Sequence, residues 1–172
     1  MNVFLVGPMG SGKSAVGRQL AQRLDLDFID SDAEIEARTG VDIAYIFERE
    51  GEAGFRSREA EVIDALSRRD RVLVSTGGGA ILDAGTRERL RARGRVVYLR
   101  TSVDQQLART RRSNDRPLLN NDDPRGTLER LFEQRAPLYA EVAEFVVDTD
   151  GRKVKAVVDQ ICHQLGVDGV EP

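Results

Sequence analysis

The chain is 172 residues long, enough for one domain with a proper core and too short for two comfortable ones. Lysine and arginine number 26 against 29 aspartates and glutamates, a near-neutral balance that gives no electrostatic reason to expect nucleic acid or an anionic membrane as the main partner. A single cysteine, Cys162, rules out an internal disulfide, the single histidine, His163, argues against a zinc site, and no run approaches the ~18 apolar residues of a membrane span.

The first predicted element is the apolar run Val3-Phe4-Leu5-Val6, a buried strand, with no charged-then-apolar leader before it; a soluble, cytoplasmic protein is the expectation. Gly7-Pro8-Met9-Gly10-Ser11-Gly12-Lys13-Ser14 follows directly. Two glycines five apart and then Lys-Ser form the phosphate-cradling loop: backbone N–H groups turn inward, Lys13 reaches the β- and γ-phosphates, and Ser14 offers a hydroxyl to Mg²⁺. Gly10, Ser11, Gly12, Lys13, Ser14 and Ala15 are therefore the expected nucleotide contacts. Val16, Leu20 and Leu24 recur every four residues, so a helix near 13–25 points its positive end at the bound anion.

Further apolar runs at Phe28-Ile29, Val72–Val74, Val96–Leu99 and Phe145–Val147 alternate with helical periods near 32–39, 43–49, 53–69, 83–93, 103–112, 125–140 and 152–165. Five buried parallel strands with helical crossovers, an α/β domain, is the natural solution. Ligands gather outside the carboxyl ends of such strands, where Gly7, Asp30-Ser31-Asp32 and Thr76-Gly77-Gly78-Gly79 all fall.

Asp30 suits Mg²⁺ through water and Asp32 suits the orientation of an acceptor hydroxyl, although either Asp30 or Ser31 could also simply cap the next helix. Gly77-Gly78-Gly79 permits close backbone approach to a small ligand, or equally a tight turn. Arg56, Arg116 and Arg135 each have neighbours that fix the local backbone, and guanidinium groups grip carboxylates and phosphates through paired hydrogen bonds. Arg87, Arg89, Arg91, Arg93 and Arg95 instead look like a solvated face. Phe47 and Phe55 are either core residues or walls of an acceptor pocket, and Cys162 and His163 are expected to be structural. The polar stretch 113–124, with two prolines, is expected to form a lid, and 166–172 a frayed tail.

With these pieces assembled, the chain resembles the shikimate kinases from Asn2 to about Leu165. The resemblance is carried by the loop at 7–14, Asp30-Ser31-Asp32, Arg38-Thr39-Gly40, Gly51-Glu52 with Phe55-Arg56, Gly77-Gly78-Gly79, Arg116-Pro117-Leu118-Leu119, and Arg135 with Pro137-Leu138-Tyr139. It implies a three-layer P-loop kinase fold with a five-stranded parallel sheet in the order 2-3-1-4-5, and an acceptor-binding region over about 31–60. It further implies transfer of the γ-phosphoryl group of MgATP to the 3-hydroxyl of shikimate by a cytoplasmic monomer. Under the same resemblance Asp30 helps hold Mg²⁺ and Asp32 meets the acceptor hydroxyls. Arg56, Gly77, Gly78, Gly79 and Arg135 bind the acceptor, Arg116 reaches the transferring phosphate, and the adenine lies near Arg109 and Arg152. Ala15 departs from the threonine that many members carry there. A GTPase switch would need an acidic strand end followed by glycine and an Asn-Lys-x-Asp guanine reader, neither of which is present. A gluconate kinase would lack this arginine set, and a non-catalytic nucleotide-binding module is the remaining alternative.

Overall fold

A computed structural model describes residues 1–110 and 122–167. Five strands, β1 (Val3–Val6), β2 (Asp27–Asp30), β3 (Val72–Ser75), β4 (Arg95–Arg100) and β5 (Phe145–Asp148), form one parallel sheet in the order β2-β3-β1-β4-β5. The helices are α1 (Lys13–Leu24), α2 (Ser31–Thr39), α3 (Ile43–Ser67), α4 (Ala84–Arg93), α5 (Val103–Thr110), α6 (Pro124–Val142) and α7 (Val154–Leu165), with a 3₁₀ turn over Ala80–Leu82.

The alternation of side chains along a strand divides the core into two apolar layers, one on each face of the sheet. Phe4 and Val6 of β1 point with Val74 and Tyr98 toward Ile35 of α2, Ile63 of α3, Leu90 of α4 and Tyr139 of α6. Val3 and Leu5 point the other way, with Leu73 and Leu99, onto Val16 and Leu20 of α1 and Val158 and Ile161 of α7. Every residue of β1 is fully buried, as the central strand of a sheet covered on both faces must be. Cys162 is buried in the second layer, in keeping with the structural role expected of it. Among the described residues no helix is long and apolar enough to cross a membrane.

Each expected strand and helix is present within a few residues, with informative differences. The segments expected as helices at 43–49 and 53–69 join in α3, broken at Gly51, whose φ of 74° and ψ of −179° are not helical. The 3₁₀ turn after the triple glycine was not anticipated, since three residues carry no periodicity to detect. The expected solvated arginine face is only partly so. Arg93 donates to Asp64 Oδ1 at 2.7 Å and Ser67 Oγ at 2.6 Å, Arg95 forks onto Glu144 at 2.6 Å, and Arg87 donates to backbone carbonyls of the 3₁₀ turn. Helical spacing alone does not tell which arginines find partners on other elements.

Candidate active site at the carboxyl edge of the sheet

β1 ends at Val6, and the chain turns through Gly10 (φ 75°) and Gly12 (φ 86°) before α1 begins at Lys13. Gly12 caps α1 without a side-chain hydrogen bond, and the first-turn N–H groups at this end of the helix face an incoming anion. Lys13 folds over the loop, its Nζ donating to Gly7 O at 2.7 Å and Pro8 O at 2.8 Å. Ser11 is buried within the turn, Ala15 lies on the first turn of α1, and Arg109 of α5 donates to Gly10 O at 2.9 Å, which sets its guanidinium on the lip of the loop.

The carboxyl end of β2 supplies the acidic pair. Ser14 Oγ donates to Asp30 Oδ2 at 2.9 Å, while Asp30 Oδ1 accepts the N–H of Ala33 at 3.0 Å and so caps α2. Capping and proximity to the loop thus coexist in one carboxylate. A hydroxyl beside a carboxylate is the hard oxygen donor set that Mg²⁺ takes, usually completed by water and phosphate oxygens. A cavity of about 380 Å³ joins these groups, bounded by Lys13, Ser14, Asp30, Asp32, Gly78 and Arg109. A second cavity of about 400 Å³, between α2 and α3, is lined by Ile35, Arg38, Tyr45 and Arg49 among others. It touches neither the loop nor the acidic pair, so the first cavity is the one equipped for phosphate chemistry.

The triple glycine links the two halves of the site. Thr76 anchors its start, donating from N and Oγ1 to Leu5 O at 3.1 and 2.8 Å, and Gly77 N donates to Ser31 Oγ at 3.0 Å. A Cβ added at Gly77 would fall 2.7 Å from both Asp32 Oδ1 and Glu59 Oε2. One at Gly78 would lie 3.4 Å from Met9 N of the phosphate loop and 3.5 Å from Arg135 Nη1, and one at Gly79 would collide with Arg56 Nη2 at 2.3 Å. Three successive positions therefore gather Asp32 of α2, Arg56 and Glu59 of α3, Arg135 of α6 and the phosphate loop around one short backbone segment.

Arg56 is held by Glu59 at 2.9 Å and Glu52 at 3.5 Å, with its guanidinium 5.1 Å from the Phe55 ring, which stacks in turn on Phe47 at 4.9 Å. Arg135 is 3% exposed. Burial lowers its pKa from the ordinary arginine value; the neighbouring Tyr139 opposes that effect and the Arg56 charge adds to it. Tyr139 itself donates to Gly78 O, and burial raises its pKa. Among the described residues Arg56 Nε, Arg135 Nε and Glu59 Oε2 are buried without a hydrogen-bond partner.

Glu59 is the functional candidate that the sequence did not single out. It is 2% exposed, and burial pushes its pKa up from 4.5 to about 7 against the lowering effect of Arg56. Its position three residues after Arg56, on the same helical face, was the available signal. Arg152, expected near the adenine, donates from its guanidinium to Asp148 O, Gln160 Oε1 and Ala156 O where β5 meets α7. Arg116 lies outside the described residues, as do most of the expected lid at 113–124 and most of the expected tail at 166–172.

The family profile described as shikimate kinase matches residues 9–166. The shikimate kinase of Alteromonas mediterranea is 55% identical over 166 residues, covering 96% of this chain and 97% of its own. That of Shewanella frigidimarina is 58% identical over 165 residues, covering 96% of each. Among solved structures, shikimate kinase from Acinetobacter baumannii in complex with shikimate superposes with a TM-score of 0.94 at 46% identity, over 99% of this chain and 95% of that one. Deoxyadenosine kinase from M. mycoides, at 14% identity and a TM-score of 0.64, shares the fold alone.

Proposed function

The chain belongs to the shikimate kinase family, and from that premise we propose that it transfers the γ-phosphoryl group of MgATP to the 3-hydroxyl of shikimate, giving shikimate 3-phosphate and ADP. The observation that carries this reading is the approach of Arg56 and Arg135 to adjacent glycines, Gly79 and Gly78, beside the phosphate loop and Asp32. Two guanidinium groups with buried, unpartnered Nε donors suit a small carboxylated acceptor better than a neutral sugar.

Phosphoryl transfer asks little covalent chemistry of a protein; alignment and neutralisation of spreading charge do most of the work. Lys13 would leave its two loop carbonyls to meet the β- and γ-phosphates, as the loop N–H groups and the α1 N-terminus face the same anion. Ser14 and Asp30 would hold Mg²⁺, which when bound neutralises phosphate charge. Arg56 and Arg135 would anchor the acceptor carboxylate, with Gly77–Gly79 as its floor, so that its hydroxyl faces the loop. Asp32 would orient that hydroxyl and accept its proton as the bond to phosphorus forms. Arg109 would border the adenine, and Arg116 is assigned to the transferring phosphate from the sequence alone. Anchoring at the carboxylate becomes orientation at the hydroxyl, which converts binding energy into rate.

The proposal further takes residues 1–172 as one domain, with its acceptor-binding region at about 31–60, acting as a cytoplasmic monomer with no nucleic-acid or membrane partner. ATP consumption measured with shikimate, gluconate and AMP as separate acceptors tests the activity. Turnover with shikimate alone is expected, and equal or faster turnover with gluconate or AMP would overturn the assignment. Elution in size-exclusion chromatography at the mass of one chain is the companion expectation.

A further inference from the structure

The 3₁₀ turn Ala80–Leu82 ends with carbonyls that a helix terminus leaves without intrahelical donors. Arg87, half-buried on the first turns of α4, supplies donors to two of them: its Nη1 lies 2.7 Å from Ile81 O and 3.2 Å from Leu82 O. The turn's own bonds run the other way, from Ala80 N to Gly77 O and from Leu82 N to Gly79 O, both at 3.1 Å. Leu82 is thus held twice, by Arg87 at its carbonyl and by Gly79 at its N–H. The base of α4 is fixed independently, because Asp83 Oδ2 accepts from Thr86 N at 2.7 Å and from Thr86 Oγ1 at 3.0 Å.

Gly79 in turn forms the seat of Arg56, whose guanidinium leaves no room for even a methyl group on that Cα. A continuous set of contacts therefore runs from Arg87 through Leu82 and Gly79 to Arg56. We propose that Arg87 is a positioning residue for acceptor recognition: it touches no substrate, but holds the 3₁₀ turn so that Gly79 presents a fixed surface to Arg56. Loss of the clamp leaves two carbonyls to water and lets the turn relax under the guanidinium, whereas the phosphate loop keeps its own anchors at Ser14, Asp30 and Arg109.

This inference rests on Arg56 binding the acceptor carboxylate, so Arg56→Ala is measured alongside. Arg87→Ala is expected to raise the shikimate KM about five- to tenfold, since a displaced Arg56 loses part of a charge-assisted hydrogen bond to the carboxylate in ground state and transition state alike. The ATP KM and the kcat at saturating shikimate should stay within about twofold. Arg87→Lys, which keeps a charged donor for these carbonyls, should recover part of the loss. Should Arg87→Ala not fold, Arg87→Gln, which keeps one donor arm, is read by the same constants with a smaller rise expected. A shikimate KM within about twofold of the parent, an equal rise in both KM values, or no recovery with lysine overturns the inference. If Arg56→Ala itself leaves the shikimate KM unchanged, the acceptor-site reading fails instead.

Discussion

Ser14 and Asp30 are joined by a 2.9 Å hydrogen bond across the mouth of the phosphate loop, and the same carboxylate caps α2 through the N–H of Ala33. The two duties of Asp30 can be separated by substitution. Asn is as good an N-cap as Asp but a far poorer ligand for Mg²⁺. Asp30→Asn is expected to keep its thermal stability and to require much higher Mg²⁺ for half-maximal rate. Asp30→Ala should show the same kinetic defect and lose about 1 kcal/mol of stability as well. Urea denaturation beside Mg²⁺ titration of the rate checks both, and equal Mg²⁺ dependence in parent and Asn variant would remove Asp30 from the metal site.

Lys13 Nζ donates to Gly7 O and Pro8 O, two carbonyls of its own loop. Lys13→Ala should therefore fold normally while losing about 10²- to 10³-fold in kcat, the usual cost of removing one preorganised charge from a transition state. Single-turnover kinetics with circular dichroism as the folding control measures this. A loss under about tenfold would mean that Lys13 contributes little beyond ground-state binding.

Arg135→Ala should act on the acceptor rather than on the nucleotide. A hydrogen bond to a charged group is worth about 1.5–3 kcal/mol, so the shikimate KM is expected to rise about 10- to 100-fold with the ATP KM nearly constant. Arg135→Lys should recover only part, because an ammonium cannot reproduce a planar fork. Steady-state kinetics in both substrates is the readout, and an unchanged shikimate KM would count against the pocket.

Glu59 should make stability depend on pH. Its carboxyl binds a proton more tightly in the folded chain, with a pKa of about 7 against an ordinary 4.5, because burial disfavours the charged form more than Arg56 supports it. The folded state therefore holds more protons between those values, and the contribution is complete below 4.5 and lost as pH rises through about 7. A shift of this size corresponds to on the order of 3 kcal/mol. Urea denaturation from pH 4.5 to 8 should show the parent losing stability relative to Glu59→Gln as pH rises, and parallel curves would show that Glu59 titrates normally.

These residues differ in how far they could be read from the chain. The loop at 7–14, the helix that follows it and the burial of β1 are local consequences of consecutive residues, and the structure reproduces them within a residue or two. Asp30 was legible because a strand end and a helix cap are both short-range features. Glu59 was not singled out, since its i,i+3 spacing from Arg56 is a signal that any surface ion pair on a helix shares, and its burial, unlike the exposure of Glu61, is decided by packing.

The sequence by itself determined the strands, the phosphate loop and the residue types available for catalysis, because hydrophobic periodicity and backbone turns act over a few residues. Only the tertiary structure decided which charges meet. Arg56, Glu59 and Arg135 lie on two helices separated by two strands in the chain, and they converge because α3 and α6 pack on the same face of the sheet, over the turn at Gly77–Gly79. Arg87, by contrast with its exposed neighbour Glu88, owes its role to the carbonyls that the 3₁₀ turn presents to it. Charge becomes specificity through distance, and distance between remote residues is a property of packing.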